Sequence, residues 1–184
     1  MANMKIWERA GALEDIQRTF QWELVIPDIR SLVADVDVEA LVIRARTSTI
    51  PGRTVEAIES YFGPTKQMFP GRITFTNTFN VTFEETQDQL ISKTLYAWQE
   101  RVMSIRDGSP NAGFSEVLRK RDLCTNIELY PYNYGGDRKL EKKFVFHNAW
   151  LSGFDDISLE YATGDSVKFN ATFTFDYWDL VDSA

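Results

Sequence analysis

Residues 73–83, ITFTNTFNVTF, alternate between apolar and polar side chains over most of their length. The apolar positions are Ile73, Phe75, Phe79, Val81 and Phe83, and the residues between them are mainly Thr and Asn. Successive side chains of a β-strand point to opposite faces of a sheet. The pattern therefore predicts one long strand with an apolar face in the core and a polar face that is solvated or covered by a partner.

A helical pattern follows this strand directly. Thr86-Gln-Asp-Gln89 fits a capping box, in which the two outer side chains satisfy backbone donors at the start of a helix. Apolar residues then recur at steps of four and three, at Ile91, Leu95, Trp98, Val102 and Ile105. This spacing predicts one apolar stripe on a helix, and packing that stripe on the sheet is predicted to form the nucleus of the fold.

The rest of the chain is dominated by further alternating stretches. They predict strands at residues 19–26, 40–46, 55–62, 123–130, 140–147, 157–161 and 167–177. Turns are predicted at Pro51-Gly52, Phe69-Pro70-Gly71, Gly135-Gly136 and Thr163-Gly164-Asp165. About seven or eight strands with one packed helix predict a mainly β protein, an antiparallel sandwich or barrel. We expect residues 1–18 to be an N-terminal arm and residues 19–184 to be a single β domain.

The charge and composition exclude several function classes. The 184 residues include 20 basic and 27 acidic side chains, a net charge of −7 that disfavours binding to nucleic acid phosphates. Cys124 and His147 are the sole residues of their types, so an intrachain disulfide and a two-imidazole metal site are excluded. The start of the chain lacks a continuous apolar stretch, and no window resembles a membrane span. We expect a cytoplasmic product with no membrane partner.

The search for catalytic motifs points to a protein that is not an enzyme and needs no cofactor. The sequence has neither a phosphate-binding glycine loop ending in Lys nor a dinucleotide fingerprint. Cys124 is predicted within a strand, where a structural thiol is favoured over a nucleophile. His147 is predicted to be exposed or hydrogen-bonded on the polar side of its strand. The acidic pairs Glu84-Glu85 and Asp155-Asp156 lack the spacing of a calcium loop.

Basic residues concentrate around one predicted hairpin. Seven of the 20 lie there: Arg119, Lys120, Arg121, Arg138, Lys139, Lys142 and Lys143. The two readings are a solvated surface and a docking face for an acidic partner, because patches of one sign orient assembly. Nucleic acid is a third reading, which the net charge disfavours.

Taken in order, several motifs carry a resemblance to a known family. They are the aromatic strand at residues 20–26, the strand and Pro-Gly turn at 44–53, Phe69-Pro-Gly-Arg72 before a Thr-rich strand, the Trp-containing helix at 90–102, and Phe173-Thr-Phe-Asp-Tyr-Trp178. The chain resembles the tail tube protein of contractile-tailed, T-even-like bacteriophages, whose fold is shared with the Hcp tube of type VI secretion. The resemblance covers nearly all of the chain after the arm.

The resemblance implies a structural virion protein without an active site. Members of that family form hexameric rings that stack into a hollow tube inside a contractile sheath, and their strands join into a β-barrel around the channel. The implied partners are further copies of the chain, the tail sheath, the baseplate and tail terminator proteins, and phage DNA that passes through without specific binding. The implied location is the tail tube of the virion, after synthesis in the host cytoplasm.

Two surfaces are candidates for contacts in such an assembly. Residues 47–53 and 62–72 place apolar side chains on turn-rich sequence, which predicts subunit or ring-to-ring contacts. The candidate residues there are Ile50, Pro51, Arg53, Phe62, Met68 and Phe69. The basic residues around the predicted hairpin are the second candidate, as a face that docks to the sheath or to the neighbouring ring.

Several alternatives remain open at the level of sequence. An Hcp-type effector tube, a bacteriocin tube and a tube-initiating baseplate protein would share the fold. A sugar-binding β-sandwich is suggested by five Trp and seven Tyr, and it would display these aromatic residues in an exposed groove. An enzyme ranks last, because convergent polar groups are missing from the sequence pattern.

Overall fold

The computed structural model describes residues 22–33, 36–102, 120–132, 142–157 and 166–182, and the statements below concern these residues. They contain nine strands: β1 Trp22–Val25, β2 Ala45–Ser48, β3 Thr54–Phe62, β4 Thr65–Thr74, β5 Thr78–Glu84, β6 Thr125–Pro131, β7 Lys142–Phe154, β8 Lys168–Thr174 and β9 Tyr177–Asp182. Four helices accompany them: α1 Ile29–Leu32, α2 Val38–Arg44, α3 Leu90–Val102 and α4 Lys120–Leu123. The predicted antiparallel, mainly β fold is confirmed. The helix α3 is the long one, as predicted, while the other three are short.

Seven strands form one antiparallel sheet, and β3 and β4 form a separate hairpin. The order in the large sheet is β1-β6-β7-β8-β5-β2, and β9 also pairs with β7. The long strand β7 connects two halves of this sheet. Its first half lies between β6 and β9, and its second half pairs with β8.

The core lies between the large sheet and α3. Its centre is made of buried residues from β5, β8 and α3, namely Phe79, Val81, Phe83, Phe169, Ala171, Phe173, Ile91, Leu95 and Trp98. The Trp98 and Phe173 rings lie 5.6 Å apart between centroids, so the helix contacts the strand face directly. The predicted packing of one helix on the sheet is therefore confirmed.

The prediction of a single long strand over residues 73–83 is wrong. The chain bends between β4 and β5, and Ile73 is exposed rather than buried. The Asn77 side chain at this bend donates hydrogen bonds to the carbonyls of Phe175 and Asp176, at 3.0 and 2.9 Å. Those two residues form the bend between β8 and β9, which likewise divides the predicted strand at residues 167–177. One amide therefore ties the two bends together.

The prediction of a strand over residues 40–46 is wrong for most of that range. Residues 38–44 form α2, whose N-terminus is capped by the Asp37 side chain accepting from the Ala40 N–H at 3.1 Å. Leu41 faces the core while Ile43 is exposed. A short run with one buried apolar residue fits both the strand period of two and the helix period of 3.6. Here the Asp37 cap favours the helix.

The start of α3 differs from the predicted capping box. The Thr86 hydroxyl oxygen accepts from the N–H of Leu90 at 3.1 Å, so its predicted capping role is confirmed. Gln89 lies before the helix with φ of 53°, a left-handed conformation outside the helical turn. The second side chain that caps the helix is Glu85 instead of the predicted Gln89.

The Glu85 carboxylate caps the first turn of α3. It accepts hydrogen bonds from the N–H groups of Ile91 and Ser92, at 3.1 and 2.9 Å, and from the Ser92 hydroxyl. Burial by itself would raise the pKa of Glu85, but these bonds outweigh burial and hold it below the ordinary 4.5. Because the folded-state pKa is lowered, the carboxylate stabilises the fold above the unfolded pKa and loses this effect as the pH falls.

We predict that Glu85→Gln lowers the free energy of unfolding at pH 7 by about 1 kcal/mol, the usual contribution of a helix cap. The difference from wild type should shrink as the pH falls below 4.5, where the wild-type carboxylate becomes protonated. Urea unfolding of the subunit across this pH range measures both effects. Asp156→Asn, at an exposed position, is the control and should change stability little. A difference that stays constant with pH would contradict the assignment.

Candidate functional site

The hairpin of β3 and β4 is the most exposed described part of the molecule. Its strands pair from Thr54 opposite Thr74 to Phe62 opposite Thr65, and Gly63 and Pro64 make the turn. Gly63 has φ of 60°, which only glycine adopts without strain. Neither strand joins the large sheet, so the hairpin projects from the body.

The predicted turn at Phe69-Pro70-Gly71 is wrong, because these residues lie within β4. Pro70 lies opposite Ala57 next to a register shift, a position where a strand tolerates the missing N–H of proline. A Cβ at Gly71 would lie 2.9 Å from the Ile58 side chain, so the close approach of the strands requires glycine. The Pro-Gly pair therefore shapes a strand rather than ending one.

The two faces of the hairpin differ in charge. One face carries Ile58, Phe62 and Phe69, which are 58%, 61% and 46% exposed, and we call it the apolar face. The other face carries Tyr61 and Met68 beside an ion pair between Glu59 and Lys66, and we call it the mixed face. Each side therefore offers large apolar groups to solvent.

A two-stranded hairpin of this kind has little stability of its own in water. Burial of apolar surface is favourable by about 25 cal/mol per Å², so leaving both faces exposed forgoes a large stabilisation. Contiguous exposed apolar surface of this kind marks an interaction site. The hairpin is therefore the candidate assembly surface.

The base of the hairpin is tied to β9 by Arg53. Its guanidinium carbon lies 3.8 Å from the centroid of the Trp178 ring, and its Nη2 lies 3.6 Å from the Asp179 carboxylate. A cation over an aromatic face and beside a carboxylate is held by both. Nearby, Ile50 is exposed and Pro51 is half-buried.

The structure thus places all six candidate interface residues in one continuous segment. Ile50, Pro51 and Arg53 lie at the base of the hairpin, and Phe62, Met68 and Phe69 lie on its strands rather than on a loop. Sequence reasoning did not select Ile58 or Tyr61, which are equally exposed. The apolar residues on both faces of residues 55–62 were the available signal.

The basic candidates do not form a uniformly free patch. Arg119, Arg138 and Lys139 lie outside the described residues. Lys143 donates to Glu128 at 3.0 Å and to the Tyr130 hydroxyl at 3.2 Å, and the hydrogen bond to Glu128 raises the pKa of Lys143. Its charge is thereby balanced within the subunit.

Lys120 is balanced in the same way. It forms an ion pair with Asp176, and this hydrogen bond lowers the pKa of Asp176. Arg121 lies 3.6 Å from the carboxylate of Asp122, with most of its side chain in solvent. Lys142, at the start of β7, is exposed. The described part of the basic set therefore offers Arg121 and Lys142 to a partner.

Cys124 and His147, the two residues considered for chemistry, are both half-buried in the subunit. Cys124 lies between α4 and β6 rather than within a strand, and burial raises the pKa of its thiol. His147 stacks on Tyr177 at 4.4 Å between ring centroids, and its Nε2 lies 3.5 Å from the Asp179 carboxylate. Over the described ranges, no cluster of three or more His, Cys, Asp or Glu residues is placed to hold a metal ion. None of the described helices is both long enough and apolar enough to span a membrane.

Comparison with known proteins gives one family match. Residues 16–181 match a protein-family model described as phage tail tube protein. No curated protein sequence is significantly similar to this chain.

Three solved structures of similar fold are chains of the anti-feeding prophage and of an extracellular contractile injection system. A chain of the anti-feeding prophage (AFP) tube terminating cap is 10% identical, with 93% of this chain and 94% of that one covered at a TM-score of 0.62. A chain of the PVC sheath-tube complex of an extracellular contractile injection system is 12% identical, covering 98% and 100%, with a TM-score of 0.59. A chain of the six-fold symmetrised AFP baseplate is 7% identical, covering 92% and 97%, with a TM-score of 0.57. At these identities the likeness shows a shared fold.

We predict that Ile58→Ser combined with Phe69→Ser lowers the self-association constant at least tenfold, which is roughly 1.4 kcal/mol of association free energy. The double variant removes apolar surface that a second copy would bury. The subunit should keep its stability, since both side chains are exposed. Sedimentation velocity and urea unfolding measure the two properties.

The matched control is Ile43→Ser on α2, where the isoleucine is 59% exposed against 58% for Ile58. It removes the same side chain from a different surface and should leave self-association unchanged. Equal association of the wild-type protein and the double variant would refute the assignment of the hairpin.

Proposed function

The chain belongs to the phage tail tube protein family, and from that premise we propose that it forms the inner tube of a contractile, T-even-like phage tail. The subunits assemble into hexameric rings, and the rings stack into a hollow conduit for DNA ejection. The observation that carries the proposal is the projecting hairpin, whose two faces both expose large apolar side chains.

The occupant that fits the hairpin is a second copy of the same chain. The charges of Glu59 and Lys66 on the hairpin neutralise each other in an ion pair, so the partner need not supply a charged group to match them. A hairpin that inserts into a different surface of the next copy makes a heterologous contact, which closes into rings or continues as a filament. In a tube of stacked rings, contacts of this kind can close each ring and can also continue from one ring to the next.

The proposed six-fold symmetry and the partners draw on the similar structures. One of them is a chain of a six-fold symmetrised baseplate, and another comes from a sheath-tube complex. By analogy of fold, the partners of this chain are the tail sheath, the baseplate and the tail terminator. The tail tube of the virion is its proposed location.

DNA is the proposed cargo, and it passes without specific binding. Protein affinity for DNA comes largely from Lys and Arg contacts that release cations from the phosphates. The net charge of −7 opposes such contacts. Lys120 and Lys143 are neutralised by Asp176 and Glu128 within the subunit, which reduces the free positive charge further.

A second candidate is the tube of a phage-like injection system that carries another cargo. It is favoured by the fold likeness to PVC and AFP chains, which extends over nine-tenths or more of both partners. Nucleic acid protected from nuclease inside purified particles would indicate the phage tail, and empty or protein-filled tubes would indicate the injection system.

We predict that the purified protein forms rings with six-fold symmetry that stack into tubes of uniform bore. Negative-stain microscopy with two-dimensional class averages tests this directly. A chain that stays monomeric at high concentration, or rings of another symmetry, would contradict the proposed assembly.

We also propose that the basic residues dock the tube to the sheath or to the neighbouring ring. Reversal of Arg138, Lys139 and Lys142 to Glu should then leave the subunit folded and yield fewer sheathed tubes. Lys143 is kept unchanged, because its ion pair with Glu128 is part of the subunit. Co-expression with the sheath protein, followed by counting sheathed particles, measures the effect.

The control is Arg30→Glu, a charge reversal at an exposed position of α1. It should leave sheathing unchanged. If the triple variant is sheathed as often as wild type, the basic residues are not part of the docking surface.

A further inference from the structure

The hairpin of β3 and β4 depends on its base, because its two strands pair only with each other within the described part of the chain. On the side of β4, Phe75 stacks on Phe175 with 5.9 Å between ring centroids. On the side of β3, Arg53 contacts the Trp178 ring and the Asp179 carboxylate of β9. The base is thus joined to the sheet by one apolar contact and by one contact that includes an ion pair.

The only histidine of the chain lies beside this ion pair. His147 is on β7, and its ring stacks on Tyr177 of β9 with 4.4 Å between centroids and 18° between the ring planes. The stacked imidazole directs its Nε2 toward Oδ2 of Asp179, at 3.5 Å. The side chain of His147 is 25% exposed, so it is partly shielded by the protein and still accessible to protons from water.

The Asp179 carboxylate is therefore shared between two basic side chains. Its Oδ2 faces His147 on β7, while its Oδ1 lies 3.6 Å from Nη2 of Arg53, the residue before β3. A charge-assisted hydrogen bond between a basic nitrogen and a carboxylate is about 2.7–2.9 Å long, so both distances leave room for a closer approach. The carboxylate can move toward either partner at the expense of the other.

The charge of His147 decides how the carboxylate is shared. Histidine is the side chain whose charge ordinarily changes between about pH 5 and 8, whereas arginine stays charged throughout this range. Neutral His147 leaves the carboxylate of Asp179 to Arg53. Protonated His147 attracts that carboxylate and repels the guanidinium, because two cations then compete for one anion. The ion pair of Arg53 is weakened as a result, while its contact with the Trp178 ring remains.

Other charged or titratable groups lie on the elements packed around His147. They are Cys124 after α4, Glu128 and Tyr130 on β6, Lys143 on β7, Lys120 on α4, and Asp176 before β9. Glu128 pairs with Lys143, and Asp176 pairs with Lys120, so these charges are balanced among themselves. The helix α3 packs on the core side of the sheet, where Phe146 points, and His147 points to the opposite side. Among the described residues, Asp179 is the carboxylate within ion-pair distance of the imidazole.

From this arrangement we propose that His147 and Asp179 are positioning residues for the hairpin, and that protonation of His147 loosens the hairpin base by weakening the ion pair of Arg53. The inference rests on the proposed function, in which the hairpin makes the contacts between copies. A hairpin that is held in one orientation before assembly costs less to order when it binds the next copy. Assembly is therefore stronger above the pH range in which His147 titrates and weaker below it.

The test measures opening of the hairpin in free, dilute subunits. Hydrogen exchange of the amides of residues 54–74 is followed by mass spectrometry at about pH 7.5 and about pH 5.5, on either side of the ordinary titration of histidine. Rates are converted to protection factors, which correct for the intrinsic pH dependence of exchange. Protection of the hairpin should fall about two- to fivefold at the lower pH, the effect expected from weakening one exposed ion pair.

Two further measurements connect this change to the histidine and to assembly. Because the chain has a single histidine, nuclear magnetic resonance of the imidazole gives its titration midpoint without overlap. The loss of hairpin protection should follow the same midpoint. The self-association constant, measured by sedimentation over the same pH range, should fall by a similar factor.

Three variants separate the proposed roles. His147→Gln removes the titrating group and should keep the protection of the hairpin at its high-pH level across the range. Asp179→Asn removes the shared carboxylate, so protection should be reduced at both pH values and should change little between them. Asp182→Asn is the matched control, since it makes the same change at an exposed position of β9, and it should behave as wild type.

Three exchange results would overturn the inference. They are equal hairpin protection at both pH values, a pH effect that persists in His147→Gln, and an Asp179→Asn variant that keeps the full wild-type pH dependence. Absence of tubes at both pH values would instead contradict the proposed function. The exchange measurement does not require tubes, so it decides the role of His147 in either case.

Discussion

The pairing of β5 with β8 is the interaction on which the rest of the subunit depends. Phe79 lies opposite Phe173, with ring centroids 5.3 Å apart, and Phe79 also stacks on Phe146 at 4.3 Å. Burial of each such side chain contributes roughly 1.5–3 kcal/mol. Because side chains alternate along a strand, this register also fixes which Thr and Asn residues face outward. A shift by one residue would turn the core face of these strands outward and bury their polar face.

Two bends lie side by side at one end of this pair, where β4 is followed by β5 and β8 is followed by β9. The Asn77 amide holds the two bends together through the carbonyls of Phe175 and Asp176. Beyond the bends, β9 continues along β7, while β3 and β4 leave the sheet as a hairpin whose base is held by Arg53 against Trp178. The subunit thus combines a sheet packed on a helix with a projecting apolar hairpin, and we interpret the hairpin as the element for contacts between copies.

Much of the core was predictable from the sequence. The period of two identified β5, β6 and β8, and the steps of four and three identified α3, because each of these elements buries a full apolar stripe. The pattern failed at residues 40–46, where a single buried leucine leaves the period undefined. It also failed at Pro70, because a proline next to a bulge can stay within a strand. For the candidate site, exposure of Phe62, Met68 and Phe69 was anticipated, and their role as an interface remains a prediction.

The sequence by itself determined the core positions of β5, β6, β8 and α3 and the family that the chain resembles, because both depend on the local order of apolar and polar residues. The tertiary structure decided where the strands bend, that the hairpin leaves the sheet, and that Lys120 and Lys143 are neutralised within the subunit. It also decided that the outward Thr and Asn residues bond to one another. Those features depend on partners distant in the chain, such as Thr82 with Asn170, and spacing along the sequence does not encode such pairings.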